Sequence, residues 1–128
     1  MSFLRRPKSK FRAKRTELDG RSFASQFEAA VYALYKLREK AGEIEILGTQ
    51  EHVYLTDARI NYITDYSFLD LKTGEKVHGE AKGFETPEWK LKLRLYRFYG
   101  PCRLEIWKGT YIRPVLHEIV IPKAQKPL

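Results

Sequence analysis

"INYITDYSFLDLKTGEKVHGEAKGF", Ile60–Phe84, is the stretch that decides how this chain folds. Both halves are rich in Ile, Tyr, Thr, Phe and Val, which fit a pleated, half-buried surface. Between them Lys72-Thr73-Gly74-Glu75 reads as a turn, with Gly74 suited to positive φ. The spacing predicts an antiparallel hairpin. Folding about Lys72 and Thr73 brings Asp65 opposite Glu80 to Lys82, with cross-strand neighbours about 5 Å apart. Glu80 and Lys82 differ by two, so they share one face. A slip of one residue would send Asp65 to the other face.

Upstream, "SQFEAAVYALYKLREKAG", Ser25–Gly42, reads as a helix. Ser25 and Glu28 have capping-box spacing, and Gly42 is a natural stop. Phe27, Val31, Leu34 and Arg38 recur at helical spacing, with Ala30 and Leu37 widening the stripe. Asp19-Gly20 before it signals a small hairpin. The stretch 43–60 lacks periodicity and reads as a loop with an irregular strand near His52–Leu55. Downstream, Thr86 as N-cap and Pro87 at the first turn open a second helix that Gly100 closes. Its apolar face comprises Trp89, Leu91, Leu93, Leu95, Tyr96 and Phe98. Two strands follow, at Cys102–Trp107 and Arg113–Ile121. The main order is α-β-β-β-α-β-β, which implies an α/β fold with a mixed sheet flanked by helices.

The chain has 128 residues, a size for one domain. Residues 1–15 read as a basic arm, 16–121 as the domain and 122–128 as a tail. From Arg5 to Arg15 there are seven Lys or Arg and no acid, and the whole chain carries a net charge of +8. A polyanion is the expected partner, with nucleic acid foremost. Lys10, Arg12, Lys14 and Arg15 in the arm are candidate DNA contacts, as are Lys90, Arg94 and Arg97 along the second helix. No apolar run is long enough to span a membrane. The single cysteine, Cys102, excludes an internal disulfide and accords with a reducing cytoplasm. It is expected to be a buried small hydrophobe. Trp89 and Trp107 are expected in the core, His78 in a structural role, and Tyr62 and Tyr66 against a helix.

Two carboxylates brought this close repel when both are ionised. A hard divalent cation removes that repulsion, and Mg²⁺ characteristically takes one or two carboxylates while keeping waters. Lys82 beside them would stabilise the charge that builds on a phosphodiester under attack. Read alone, Glu-x-Lys equally describes a solvated strand face with one Lys–Glu pair.

The set "ITD", then "GEAK" after the hairpin, resembles the PD-(D/E)XK nuclease superfamily. Thr64-Asp65 stands at its P-D position and Glu80-Ala81-Lys82 at its (D/E)-x-K. Glu28 occupies the place of the helix glutamate that the superfamily often adds. The wider stretch, roughly residues 10 to 107, is similar to small phage-encoded nucleases, among them endonuclease I-like and archaeal-type Holliday-junction resolvases. Thr64 replaces the proline of the motif, and beyond Trp107 no motif is shared. The resemblance implies a restriction-endonuclease-like fold and hydrolysis of branched DNA with Mg²⁺, for which Mn²⁺ substitutes. Asp65, Glu80 and the Ala81 carbonyl would bind metal. Glu28 would help bind metal or position water, and Lys82 would orient the nucleophile. It further implies a homodimer cutting four-way junctions in the host cytoplasm. The competing readings are a nuclease of the same chemistry on other DNA, and a non-catalytic basic DNA-binding module.

Overall fold

A computed structural model of the chain describes residues 15–125. Lys10, Arg12 and Lys14, and residues 126–128, lie outside the described residues. Strands β1 (Thr16–Leu18) and β2 (Arg21–Phe23) form the small hairpin expected at Asp19-Gly20. Both turn residues have positive φ, 55° and 75°, as a two-residue hairpin turn demands.

Helix α1 (Gln26–Lys40) starts where the sequence says it should. Ser25 is the N-cap, and its Oγ accepts from the Glu28 N–H at 3.0 Å. Gly42, at φ 79°, donates to Glu39 O, and Glu43 N donates to Arg38 O. That pair of bonds closes a helix C-terminus with a left-handed glycine. The buried face is Ala29, Val31, Tyr32 and Tyr35. The expected stripe was therefore rotated: Phe27 and Leu34 are only partly buried, and Leu37 is 62% exposed. Two tyrosines take the core positions, because their rings bury large areas once the hydroxyls find partners.

The 43–60 stretch corrects the sequence reading most. It forms β3 (Ile44–Tyr54), eleven residues long. Its pairing with β4 shifts register between Ile46 and Gly48, leaving Leu47 as an extra residue, and Gln50 has φ 55°. These two irregularities break the alternation that would have marked a strand.

β4 (Asn61–Asp70) and β5 (Lys76–Ala81) form the central hairpin, with Tyr66 opposite Gly79 and Leu69 opposite Lys76. Asp70 ties the turn, its Oδ1 accepting from Lys72 N at 2.9 Å, and Gly74 adopts φ 76°. Helix α2 (Pro87–Tyr99) is capped by Thr86, whose Oγ1 accepts from Trp89 N at 3.1 Å. It buries Trp89 and Tyr96, with Leu93 and Leu95 partly covered; Leu91 and Phe98, expected on that face, are exposed. α2 carries the chain to β6 (Arg103–Gly109), which runs parallel to β5, and β7 (Pro114–Val120) returns antiparallel.

The result is an α/β fold with a five-stranded mixed sheet, order β3-β4-β5-β6-β7, flanked by two helices. Successive residues of β5 show that the helices cover opposite faces. Val77 belongs to the core under α1, whereas His78 lies against Tyr96 of α2, ring centres 6.5 Å apart. No helix among the described residues is long and apolar enough to cross a membrane.

Candidate active site

The β4–β5 ladder stops at Tyr66 and Gly79, and the next residue on each strand is acidic. Beyond this point the carboxylates replace backbone carbonyls as acceptors. Glu80 Oε2 takes the Asp65 N–H at 3.4 Å, and Asp65 Oδ2 takes the Ala81 N–H at 2.9 Å. Asp65 and Glu80 thus meet in the fork between the two strands, in the register expected. The Ala81 backbone group that engages Asp65 is its N–H.

Lys82 completes the group. Its Nζ stands 3.4 Å from Glu80 Oε1 and 5.0 Å from the centre of the Trp89 ring. Its own N–H donates to Trp107 O at 2.9 Å, which fixes the backbone just past the fork. The Trp89 indole donates to Tyr62 Oη at 3.0 Å, and Tyr62 lines the same cavity as Glu80.

Burial separates the two readings of Glu-x-Lys. Glu80 is 4% exposed, so this is not a solvated strand face. Burial, then the charge of Asp65, pushes the Glu80 carboxyl well above its usual range, and Lys82 opposes the shift. Asp65 is raised too, by burial first, against the Ala81 N–H, Lys82 and Gln50. A carboxylate pair facing one lysine carries an excess negative charge when both are ionised. That donor set fits a hard divalent cation that keeps most of its waters.

Glu28 approaches from α1. With Arg15, Ala24, Gln50 and Asp65 it lines a cavity of about 250 Å³. Its carboxyl is pushed up to about 7, by burial and then by Asp65, while a hydrogen bond from the Ala24 backbone, Lys82 and Arg15 pull it down. Asp65 and Lys82 both act electrostatically on Glu28, and both act on Glu80 as well. Among the described residues no three His, Cys, Asp or Glu side chains are grouped closely enough to hold a metal ion. Asp65 stands between the two glutamates, sharing the cavity with Glu28 and donating its N–H to Glu80 Oε2. A second cavity, about 210 Å³, opens on the Glu80 side between Tyr62, Lys82, Trp89 and Lys92.

The basic residues sort unequally. Arg15 lines the Glu28 cavity. Lys90 and Arg94 are exposed on α2. Arg97 is held in a two-pronged pair with Glu118, at 2.5 and 3.0 Å, so its charge is already matched. Lys92, absent from the expected set, lines the second cavity and pairs with Glu88 at 3.0 Å. Its position two residues from Lys90 was legible, but the cap that aims the first turn of α2 at the fork was needed to see its place.

Other residues turn out to be structural. His78 is buried, bonded through Nδ1 to Thr64 Oγ1 at 2.7 Å, and burial lowers its pKa to about 4. Thr64, at the motif's proline position, is thereby given a partner. Cys102 is half-buried beside Tyr96, and burial raises its thiol, opposite to what a nucleophile needs. Gly79 makes room for Tyr35, since a Cβ there would lie 2.5 Å from Tyr35 Oη. That hydroxyl donates to Glu105 and accepts from Trp107, and Arg38 pairs with the same Glu105 oxygen.

No curated protein and no solved structure matches the chain. One family model does, over residues 8–108, a span that holds α1, the fork and α2. The chain belongs to the family described as "Protein of unknown function (DUF1064)".

Proposed function

We propose that this chain is a Mg²⁺-dependent endodeoxyribonuclease of the PD-(D/E)XK type, acting on branched DNA as a Holliday-junction resolvase. The observation that carries the nuclease reading is the pairing of buried Glu80 with half-buried Asp65, beside Lys82, at the β4–β5 fork. A fold gains nothing from burying two like charges together unless something else compensates them.

Asp65 and Glu80 would hold the ion, and the Ala81 carbonyl could complete the protein's share of its ligands. When bound, the ion supplies a more acidic water and neutralises charge on the phosphate. Lys82, kept beside Glu80 and over Trp89, orients the attacking oxygen and offsets the negative charge building on the phosphoryl group. Glu28 carries a carboxyl whose affinity for a proton near neutrality suits it to take that proton from the water. Water adds to phosphorus, the P–O bond to the leaving strand breaks, and that oxygen leaves with a proton from solvent. Arg15 and Lys92 stand on the two sides of the fork and would neutralise flanking phosphates.

The branched substrate and the homodimer rest on the resemblance, since two symmetric cuts in a junction need two sites. The test is cleavage of a four-way junction, a duplex and a single strand in Mg²⁺. Junction cutting by the wild type, with loss in Asp65→Asn, Glu80→Gln and Lys82→Ala, is expected. Cutting of the duplex alone would leave the chemistry standing and replace the substrate. Junction binding without cutting in either Mg²⁺ or Mn²⁺ would favour a binding module.

A further inference from the structure

Gln50 is a non-glycine residue in the left-handed region inside a strand. Its φ is 55°, yet it lies within β3, and the ladder to β4 pairs Thr49 with Tyr66 and Glu51 with Thr64 while leaving out Gln50 and Asp65 between them. The other non-glycine residues with positive φ among the described residues are Asp19 and Arg59. Asp19 sits in the β1–β2 turn, and Arg59 closes a short turn on Thr56. Glycine, asparagine and aspartate are the usual occupants of that backbone region, and glutamine is not among them.

No packing reason accounts for the strain, because Gln50 is exposed. What the conformation achieves is a contact. The Gln50 amide donates to Asp65 Oδ1 at 3.3 Å, while the Ala81 N–H holds Oδ2 at 2.9 Å. With one donor on each oxygen, the plane of the carboxylate is set. Gln50 also lines the cavity that Asp65 shares with Glu28. Non-glycine residues held in the left-handed region cluster at functional sites.

We infer that Gln50 is a positioning residue: β3 is bent out of its ladder to aim the Gln50 amide at Asp65, orienting that carboxylate for a divalent cation. This rests on the reading of Asp65 as a metal ligand. Partners that orient a ligating carboxylate typically change metal affinity by about tenfold or more when removed.

The test is calorimetric titration of Mn²⁺ into full-length wild type, Gln50→Gly, Gln50→Ala and Asp65→Ala without DNA, with melting temperatures measured in chelator. Gln50→Gly removes both the amide and the strain. It is expected to melt at or above the wild-type temperature while binding Mn²⁺ about tenfold more weakly. Gln50→Ala, which keeps the strain, should show the same loss of affinity and melt below Gln50→Gly. Unchanged Mn²⁺ affinity in Gln50→Gly overturns the inference. So does an affinity that follows the melting temperature across the variants, which is the signature of a purely structural role. Equal Mn²⁺ binding by wild type and Asp65→Ala overturns the metal-site reading itself, and this inference with it.

Discussion

Glu28 and Glu80 are carboxylates that the fold holds in the wrong environment for their charge. Glu28 has a folded pKa of about 7 against an ordinary 4.5. The native state therefore binds its proton more tightly than the unfolded chain does. The stability this gives is complete below about pH 4.5 and is lost as pH rises through 7. His78 works the other way, with a folded value of about 4 against 6.5, so its contribution is complete above 6.5 and fades as pH falls through 4. The wild-type profile mixes the two, but a variant isolates one. Glu28→Gln should match the wild type near pH 4 and exceed it increasingly up to pH 7, by up to about 2 kcal/mol once screening of a half-buried group is allowed for. Urea unfolding of metal-free protein across that range measures it; a constant difference would contradict the assigned shift. Gly79→Ala tests the neighbouring core. Its Cβ would meet a Tyr35 hydroxyl fixed by Glu105 and Trp107, so a loss of about 1–3 kcal/mol is expected, seen as a lower denaturation midpoint.

The elements differ in how openly the sequence declares them. The hairpin of β4 and β5 was legible because its turn chemistry and its β-rich flanks agree, and Asp65 falls opposite Glu80 as the turn requires. Both helix starts were legible from Ser25 and from Thr86-Pro87. β3 was not, because the extra Leu47 and the left-handed Gln50 interrupt its alternation. The face of α2 was read too wide, since Trp89 and Tyr96 are buried as expected but Leu91 and Phe98 are exposed, whereas the face of α1 was misplaced because tyrosine was undervalued. Hydropathy ranks Leu37 above tyrosine, yet the fold buries Tyr32 and Tyr35 and satisfies the Tyr35 hydroxyl. Leu37→Ser should therefore change stability by no more than about 0.5 kcal/mol, whereas Tyr35→Phe, which leaves the buried Glu105 and Trp107 short of a partner, should cost about 1–3 kcal/mol. Thermal melts of the two variants compare them directly. On α2, Arg94→Ala, at an exposed position, should weaken DNA binding and lower the salt slope by about one, while Arg97→Ala, whose charge is matched by Glu118, should leave that slope near the wild-type value. Fluorescence anisotropy over a salt series reads both.

At the scale of the whole molecule, the sheet opens between β4 and β5 at one end, and a cavity lies against each of the two acids at that fork. The candidate pair Asp65 and Glu80 could be read from the hairpin; the cavity that Glu28 shares with Asp65 could not, because it depends on how α1 sits over the sheet. The excess positive charge of the chain, +8, accords with a nucleic-acid substrate, whose binding should weaken steeply with salt. A cation that binds only the native state should stabilise it, by about 2.7 kcal/mol at a hundredfold excess over Kd. Asp65→Asn should abolish that gain in a melt with Mg²⁺. The most direct measurement is anomalous scattering from a crystal soaked in Mn²⁺. A peak within bonding distance of both Asp65 and Glu80 is expected. A crystal whose Mn²⁺ peaks lie elsewhere, with the Asp65–Glu80 fork empty at saturating ion, would contradict the account.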